Sequence, residues 1–308
     1  MSDEVITRSE AAIAQGSQSF AAAARLFDRA TRDDAVMLYA WCRHCDDVID
    51  GQTLGHDQQI DFRRGQQARL DILRQKTSEA LAGEGERGDP VFEALRRVVE
   101  RHQIPQRHPA ELLNGFEMDV CQRDYVTLSE TLDYCYHVAG VVGVMMARIM
   151  GVRDAATLDR ACDLGLAFQL TNIARDVVED ARAGRVYVPR EILAKYGIGA
   201  IDPESRSQRP ALHAAAVELL DIAERYYQSA QCGLPALPLR SAWAIATASR
   251  VYRAIGSKLR AAGPAGWDRR ISTTRAEKAG LLSLALGDVA RSRVAKADLP
   301  RHGLWQRP

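Results

Sequence analysis

Aromatic residues are scarce in this chain: only 6% of its 308 residues are Phe, Trp or Tyr. Windows rich in β-branched and aromatic residues are correspondingly few, while alanine and leucine abound, so the bias is toward helix. Net charge of one sign is missing too. The 41 basic and 40 acidic residues leave +1, and no global field favours nucleic acid or an anionic membrane. Long apolar runs are also lacking. The longest, near 138–152, is interrupted by Arg148 and is shorter than the roughly 20 residues of a membrane-spanning helix. The start, MSDEVITRSE, is polar and lacks the basic-then-apolar order of a signal peptide. Six scattered cysteines, Cys42, Cys45, Cys121, Cys135, Cys162 and Cys232, make no disulfide framework in a chain of this size. These absences lead us to expect a soluble protein of a reducing cytoplasm, able to touch a membrane peripherally.

What is present is helical periodicity. Thr31 is placed to cap a helix ending near Asp50, and Thr127 with Glu130 forms a capping box ahead of a helix through Met150. Thr274 with Glu277 repeats the box before the last helix. Further helices are expected over 9–28, 60–82, 90–103, 109–122, 154–182, 208–230 and 235–262. The intervening breaks, such as AGEGERGDP and GIGAIDPESRSQRP, are too short and mixed to be domain linkers. The fold class expected is all-α: a single domain over 1–308 whose helices enclose a central cavity. The ends, about 1–15 and 295–308, are expected to be loosely ordered.

Two motifs invite misreading. Cys42-Arg43-His44-Cys45 is a CxxC, but no second pair and no βαβ pattern accompanies it, so two small apolar side chains on a buried helix are the better reading. Gly83-Glu84-Gly85-Glu86-Arg87-Gly88 matches GxGxxG. A dinucleotide loop follows a strand and opens a helix; this one follows a helix and carries acids that repel phosphate.

The informative acids come in two sets. Asp46 and Asp50 are four residues apart, about 40° apart on one helix face, with Arg43 one turn earlier. Gln169, Asn172, Asp176 and Asp180 fall within about 80° of arc and form a stripe about 16 Å long. The turns before that stripe, Ala161–Phe168, are apolar, which suggests a cavity wall. Carboxylate and amide oxygens are the hard ligands that Mg²⁺ takes, usually alongside substrate phosphates. Unit like charges 4 Å apart repel by about 4 kcal/mol at an effective dielectric of 20, so facing acids and diphosphates need cations between them.

The segments DDVID and QLTNIARDVVED resemble the two aspartate-rich motifs of the squalene/phytoene synthase family. GSQSF, YCYHVAGVVG and GRVYVP resemble its N-terminal, central and post-motif segments, and the likeness runs over nearly the whole chain. YAWCRHCDDVID, DLGLAFQLTNIARDVVEDARAGRVYVP and LPLRSAWAIATA look most like its bacterial phytoene-forming branch.

The resemblance implies an isoprenoid synthase-like bundle and a Mg²⁺- (or Mn²⁺-) dependent head-to-head condensation of two geranylgeranyl diphosphates, early in carotenoid biosynthesis. Downstream carotenoid enzymes would be its partners, and no NADPH would be needed. It implies that Asp46, Asp50, Asn172, Asp176 and Asp180 hold metal, with Gln169 beside them. Arg43 and Arg175 would meet the diphosphates. Tyr134 would stand near the reacting carbons, and Ser19 and Phe20 would line the first substrate. Arg185, Tyr187, Tyr252, Arg270 and Lys278 would close around the diphosphates. Gly140 and Gly143 each cost a helix roughly 1 kcal/mol against alanine and are read either as close helix packing or, slightly preferred, as room for an alkyl tail. His137 is read as a structural side chain. The competing readings are a C30 dehydrosqualene or squalene synthase and a non-catalytic assembly factor of the same fold. A di-metal oxidase is excluded, because no Glu is followed by His three residues later.

Overall fold

The computed structural model describes residues 4–16, 18–54, 61–84, 89–294 and 299–308, with the side chains of 18 and 19 left aside. Most of the GxGxxG segment, 85–88, lies outside them. The described residues contain no β-strand. In chain order the helices are α1 (Glu4–Gly16), α2 (Gln18–Ala24), α3 (Arg29–Asp50), α4 (Gln66–Ala82), α5 (Pro90–His102), α6 (Arg107–Val120) and α7 (Leu128–Cys135). They continue with α8 (Val141–Ile149), α9 (Ala155–Arg182), α10 (Arg190–Lys195), α11 (Arg209–Gln231), α12 (Leu239–Ala262) and α13 (Arg275–Val294).

Local chemistry sets the ends of these helices. Both capping boxes form: Thr127 Oγ1 accepts from Glu130 N at 3.3 Å, and Thr274 Oγ1 from Glu277 N at 3.2 Å. Asp154 caps α9 by accepting from Thr157 N at 2.8 Å. The expected cap at Thr31 is corrected. Asp28 is the N-cap, accepting from both Thr31 N and Thr31 Oγ1, because its carboxylate lies one turn ahead of the first free N–H groups.

The helix expected from Thr127 to Met150 is broken by one wide turn. Tyr136–Gly140 is π-helical, with Val141 N–H donating to Tyr136 O. Of the two readings of Gly140 and Gly143, close helix packing holds for both, while Gly143 also lines the central cavity. A Cβ on Gly143 would strike the Ala161 carbonyl, and one on Gly140 would lie 2.7 Å from Leu166 Cδ1. Both glycines let α8 and the π turn lie against α9.

One hydrophobic core runs from Val5 to Val289, with Trp41, Tyr136, Leu70 and Met145 fully buried. Burying such side chains stabilises by about 1.5–3 kcal/mol each. Helix α9 packs against α8, α11 and α12. The described parts of both ends pack onto the core. Helix α1 buries Val5 and Ile13 against α3. Arg301 grips fully buried Asp163 through two bonds of 2.8 and 2.7 Å, Arg307 pairs with Asp159 at 2.6 Å, and Trp305 lies 5.3 Å from the Tyr136 ring. The physical reason is that Asp163, buried between helices, demands a cation, and the C-terminal segment supplies it. Among the described residues no helix is long and apolar enough to cross a membrane.

Candidate active site

Between these helices lies a cavity of about 440 Å³. Its walls are mostly apolar and come from α3, α6, α8, α9 and α12, with Leu38, Phe116, Val142, Met146 and Leu164 among them. Its polar lining comprises Arg43, Asp46, Asp119, Gln169 and Asn172, with Thr157 and Arg160 from the first turns of α9. An aromatic group stands beside them. Phe168 stacks on Tyr252 at 4.2 Å, and Phe20 lies 5.8 Å from Tyr252 and 6.3 Å from Tyr39.

The aspartates are held by arginines. Arg43 pairs with Asp46 at 2.5 Å, one turn away on α3. Arg175 takes Asp176 through two nitrogens, Nε at 2.7 Å. Arg185, from the loop after α9, reaches back to Asp50 on α3 with two nitrogens. Arg270 approaches Asp176 at 3.8 Å and Glu179 at 3.7 Å. The two aspartate sets therefore share one electrostatic neighbourhood. Burial pushes Asp46 up to about 7, against the pull of Arg43, and Asp50 adds to the rise. Burial also holds Asp180 well above the usual carboxylate range, with Asp176 adding and Arg185 opposing.

A further acid joins them that the sequence reading missed. Asp119, on α6, accepts from Tyr187 Oη at 2.7 Å and from Tyr134 Oη at 3.2 Å. The two rings stack at 4.7 Å. Burial, opposed by Arg185 and the tyrosine hydroxyls and aided by Asp50, raises Asp119 to about 6, and Asp119 in turn raises Asp46 and Asp180. The signal was available in FEMDV. Asp119 continues the apolar stripe of Leu112 and Phe116 on α6, where a carboxylate needs a reason to be.

Of the other expected residues, Phe20, Gln169, Asn172, Tyr134 and Tyr252 line the cavity. Ser19 lies in α2, its side chain outside the described residues. Lys278, on α13, is half-buried. Cys42 and Cys45 are free thiols on α3; burial pushes Cys42 up to about 12 and Cys45 well up, so neither is a ready thiolate. His137 bonds the Asp133 carbonyl of its own helix at 2.8 Å.

Among the described residues no three His, Cys, Asp or Glu side chains are gathered around a point that could hold a metal ion. The arginine pairs explain this, since Asp46, Asp50 and Asp176 each turn to a guanidinium. The donors nonetheless fit a hard divalent cation. Asn172 Oδ1 is a buried acceptor with no hydrogen-bond partner, which costs about 1–3 kcal/mol. It stands among mutually raised carboxylates, a set of oxygens suited to Mg²⁺.

The squalene/phytoene synthase description matches residues 13–277. The chain belongs to the squalene/phytoene synthase family. Proteins of this family use prenyl diphosphates and generally need divalent metal ions. A 15-cis-phytoene synthase from Paracoccus sp. (strain N81106) is 56% identical over 308 residues, covering 100% of this chain and 99% of the relative. One from Pantoea ananas is 54% identical over 297 residues, 96% of each chain. A solved dehydrosqualene synthase in complex with ligand superposes with a TM-score of 0.83 at 27% identity, covering 93% of this chain and 97% of that one. The family's fold is the all-α isoprenoid synthase bundle, as the helices and enclosed cavity described above require.

Proposed function

We propose that the chain condenses two geranylgeranyl diphosphates head to head, through prephytoene diphosphate, to phytoene, the committed step of carotenoid formation. The observation that carries this reading is a mostly apolar cavity lined by Arg43, Asp46, Asp119, Gln169 and Asn172, which come from the same helices, α3, α6 and α9, as the two aspartate sets and their neighbouring acid. Full-length likeness to 15-cis-phytoene synthases favours the C20 substrate over the C15 one.

Asp46, Asp50, Asn172, Asp176 and Asp180 would hold Mg²⁺ or Mn²⁺. When bound, the metal supplies positive charge to the diphosphates. Arg43, Arg175, Arg185 and Arg270 would turn from their aspartates and grip phosphate oxygens bidentately. The alkyl tails lie along the apolar walls, which exclude the water that would otherwise quench an allylic cation. Ring faces of Phe20, Tyr39, Phe168 and Tyr252 offer that cation their negative quadrupoles. Asp119 fixes the hydroxyls of Tyr134 and Tyr187, so Tyr134 stands rigidly in the cavity wall near the reacting carbons. Across the reaction two diphosphates and two protons leave, one proton as the cyclopropane closes and one from the rearranged cation, and a released diphosphate oxygen is a sufficient base for each.

The test is incubation of the purified protein with geranylgeranyl diphosphate and Mg²⁺, with products read by mass spectrometry. Phytoene is expected with metal, none in excess EDTA, and recovery with Mg²⁺ or Mn²⁺. Full turnover in EDTA, or no hydrocarbon under any condition, overturns the reading.

A further inference from the structure

Behind the loop that carries Arg185 and Tyr187 is a second, smaller hollow of about 180 Å³. It shares Asp119 with the main cavity, and Arg185 and Tyr187 stand in its wall. These three residues form a partition, tied by the Tyr187–Asp119 bond of 2.7 Å on one side and the Arg185–Asp50 pair on the other.

Three guanidiniums line this hollow, and an aromatic ring orients each. Arg63 and Arg185 lie 5.7 and 5.5 Å from the same Phe62 ring, and Arg123 lies 5.9 Å from the Tyr125 ring. Two cations held against one ring repel each other, and an anion between them would relieve that repulsion. Arg63 donates to the Ala183 carbonyl at 2.5 Å. It lies so close to the loop that a Cβ on Gly184, at φ 70°, would come within 2.7 Å of its guanidinium. The acids of the lining are engaged elsewhere: Asp119 by the two tyrosine hydroxyls, Asp124 by Arg190. Arg123 also pairs with Asp133 at 3.1 Å, leaving its other nitrogens available.

We infer that this hollow is an anion site for inorganic diphosphate, one partition away from where the condensation releases it. The inference rests on the reaction proposed above. Arg185 would serve both chambers, meeting the diphosphate on the inner side and presenting it to Arg63 and Arg123 on the outer. The hollow is too small and too polar for a prenyl tail, so free diphosphate rather than substrate is its ligand.

The test is calorimetric titration of the whole protein with inorganic diphosphate in EDTA, where the aspartate clusters repel the anion and the arginine hollow does not. One site is expected. Arg123→Gln removes a cation, and Gln122→Glu adds a charge without removing any hydrogen bond seen in the structure. Each is expected to weaken binding about tenfold, the effect of one charge-assisted hydrogen bond. With Mg²⁺ and geranylgeranyl diphosphate, both variants should keep single-turnover rates near the parent's while inhibition by added diphosphate falls about tenfold. Binding that is absent in EDTA, or equal in parent and both variants, overturns the site even if phytoene forms. Arg123-dependent binding without any hydrocarbon product would keep the site and sink the reaction instead.

Discussion

Asp50 and Asp176 each face an arginine and stand in different aspartate sets. Asp50→Asn or Asp176→Asn keeps the shape and removes the charge. Turnover is expected to fall by roughly 10²-fold or more, the scale of losing a principal electrostatic partner of the reacting centre, with the helical circular dichroism unchanged. Near-parental turnover would remove these residues from the mechanism. Asp119 differs, because it is an acceptor for two buried hydroxyls. Asp119→Leu leaves both unpaired, each costing about 1–3 kcal/mol, so the melting temperature should drop clearly; Asp119→Asn, which keeps an acceptor, should cost less. Equal melting temperatures would contradict the geometry. Residues of the first kind were legible in the sequence, since i,i+4 spacing alone puts Asp46 with Asp50 and Asp176 with Asp180 on common faces. Asp119 was not, because it is a single acid whose partners, Tyr134 and Tyr187, come from distant segments. The arginine pairing was also illegible, as it depends on the loop of Arg185 returning to α3.

The helices themselves were readable from capping residues and apolar period, and α9, α11 and α5 end within a residue or so of expectation. What escaped was the interruption at Tyr136–Gly140 and the choice between helix packing and tail room for Gly140 and Gly143, which depends on how closely α9 approaches. That approach can be tested. In Gly143→Ala the added methyl meets the backbone carbonyl of Ala161, which cannot swing aside. Overpacking of about 1–3 kcal/mol should exceed the helix-propensity gain of about 1 kcal/mol, and the melting temperature should fall. In Gly140→Ala the methyl meets side chains of Leu166 and Cys162, so the loss should be smaller; the reverse order would contradict the packing. The start of α13 carries a pH signature. Lys258 and the Thr274 N–H hold the Glu277 carboxyl at about 2, below its usual 4.5. A depressed folded value contributes stability above about 4.5 that is lost as pH falls toward 2. Glu277→Gln should flatten that part of the stability profile measured by chemical denaturation, and an unchanged profile would remove the cap's role.

For the whole molecule, the apolar cavity could be inferred from a polar stripe continuing an apolar helix, whereas the docking of the C-terminal segment could not. Nothing in the spacing of Asp163 and Arg301 says that they meet. Large apolar side chains remain exposed on α12 and α13, Leu239, Leu284, Leu286 and Val294. With an apolar substrate and product, the protein is expected to bind lipid vesicles reversibly and to be released without detergent. A protein recovered only by detergent extraction would contradict that. Chain length and termination define the proposed reaction: a C20 diphosphate is taken, and proton loss rather than hydride transfer ends it. Equimolar farnesyl and geranylgeranyl diphosphates, offered with Mg²⁺ and with or without NADPH, test both at once by mass spectrometry of the hydrocarbons. Phytoene is expected as the main product, unchanged in rate and identity by NADPH; a predominant C30 product, or a reduced hydrocarbon formed only with NADPH, would contradict the proposed reaction.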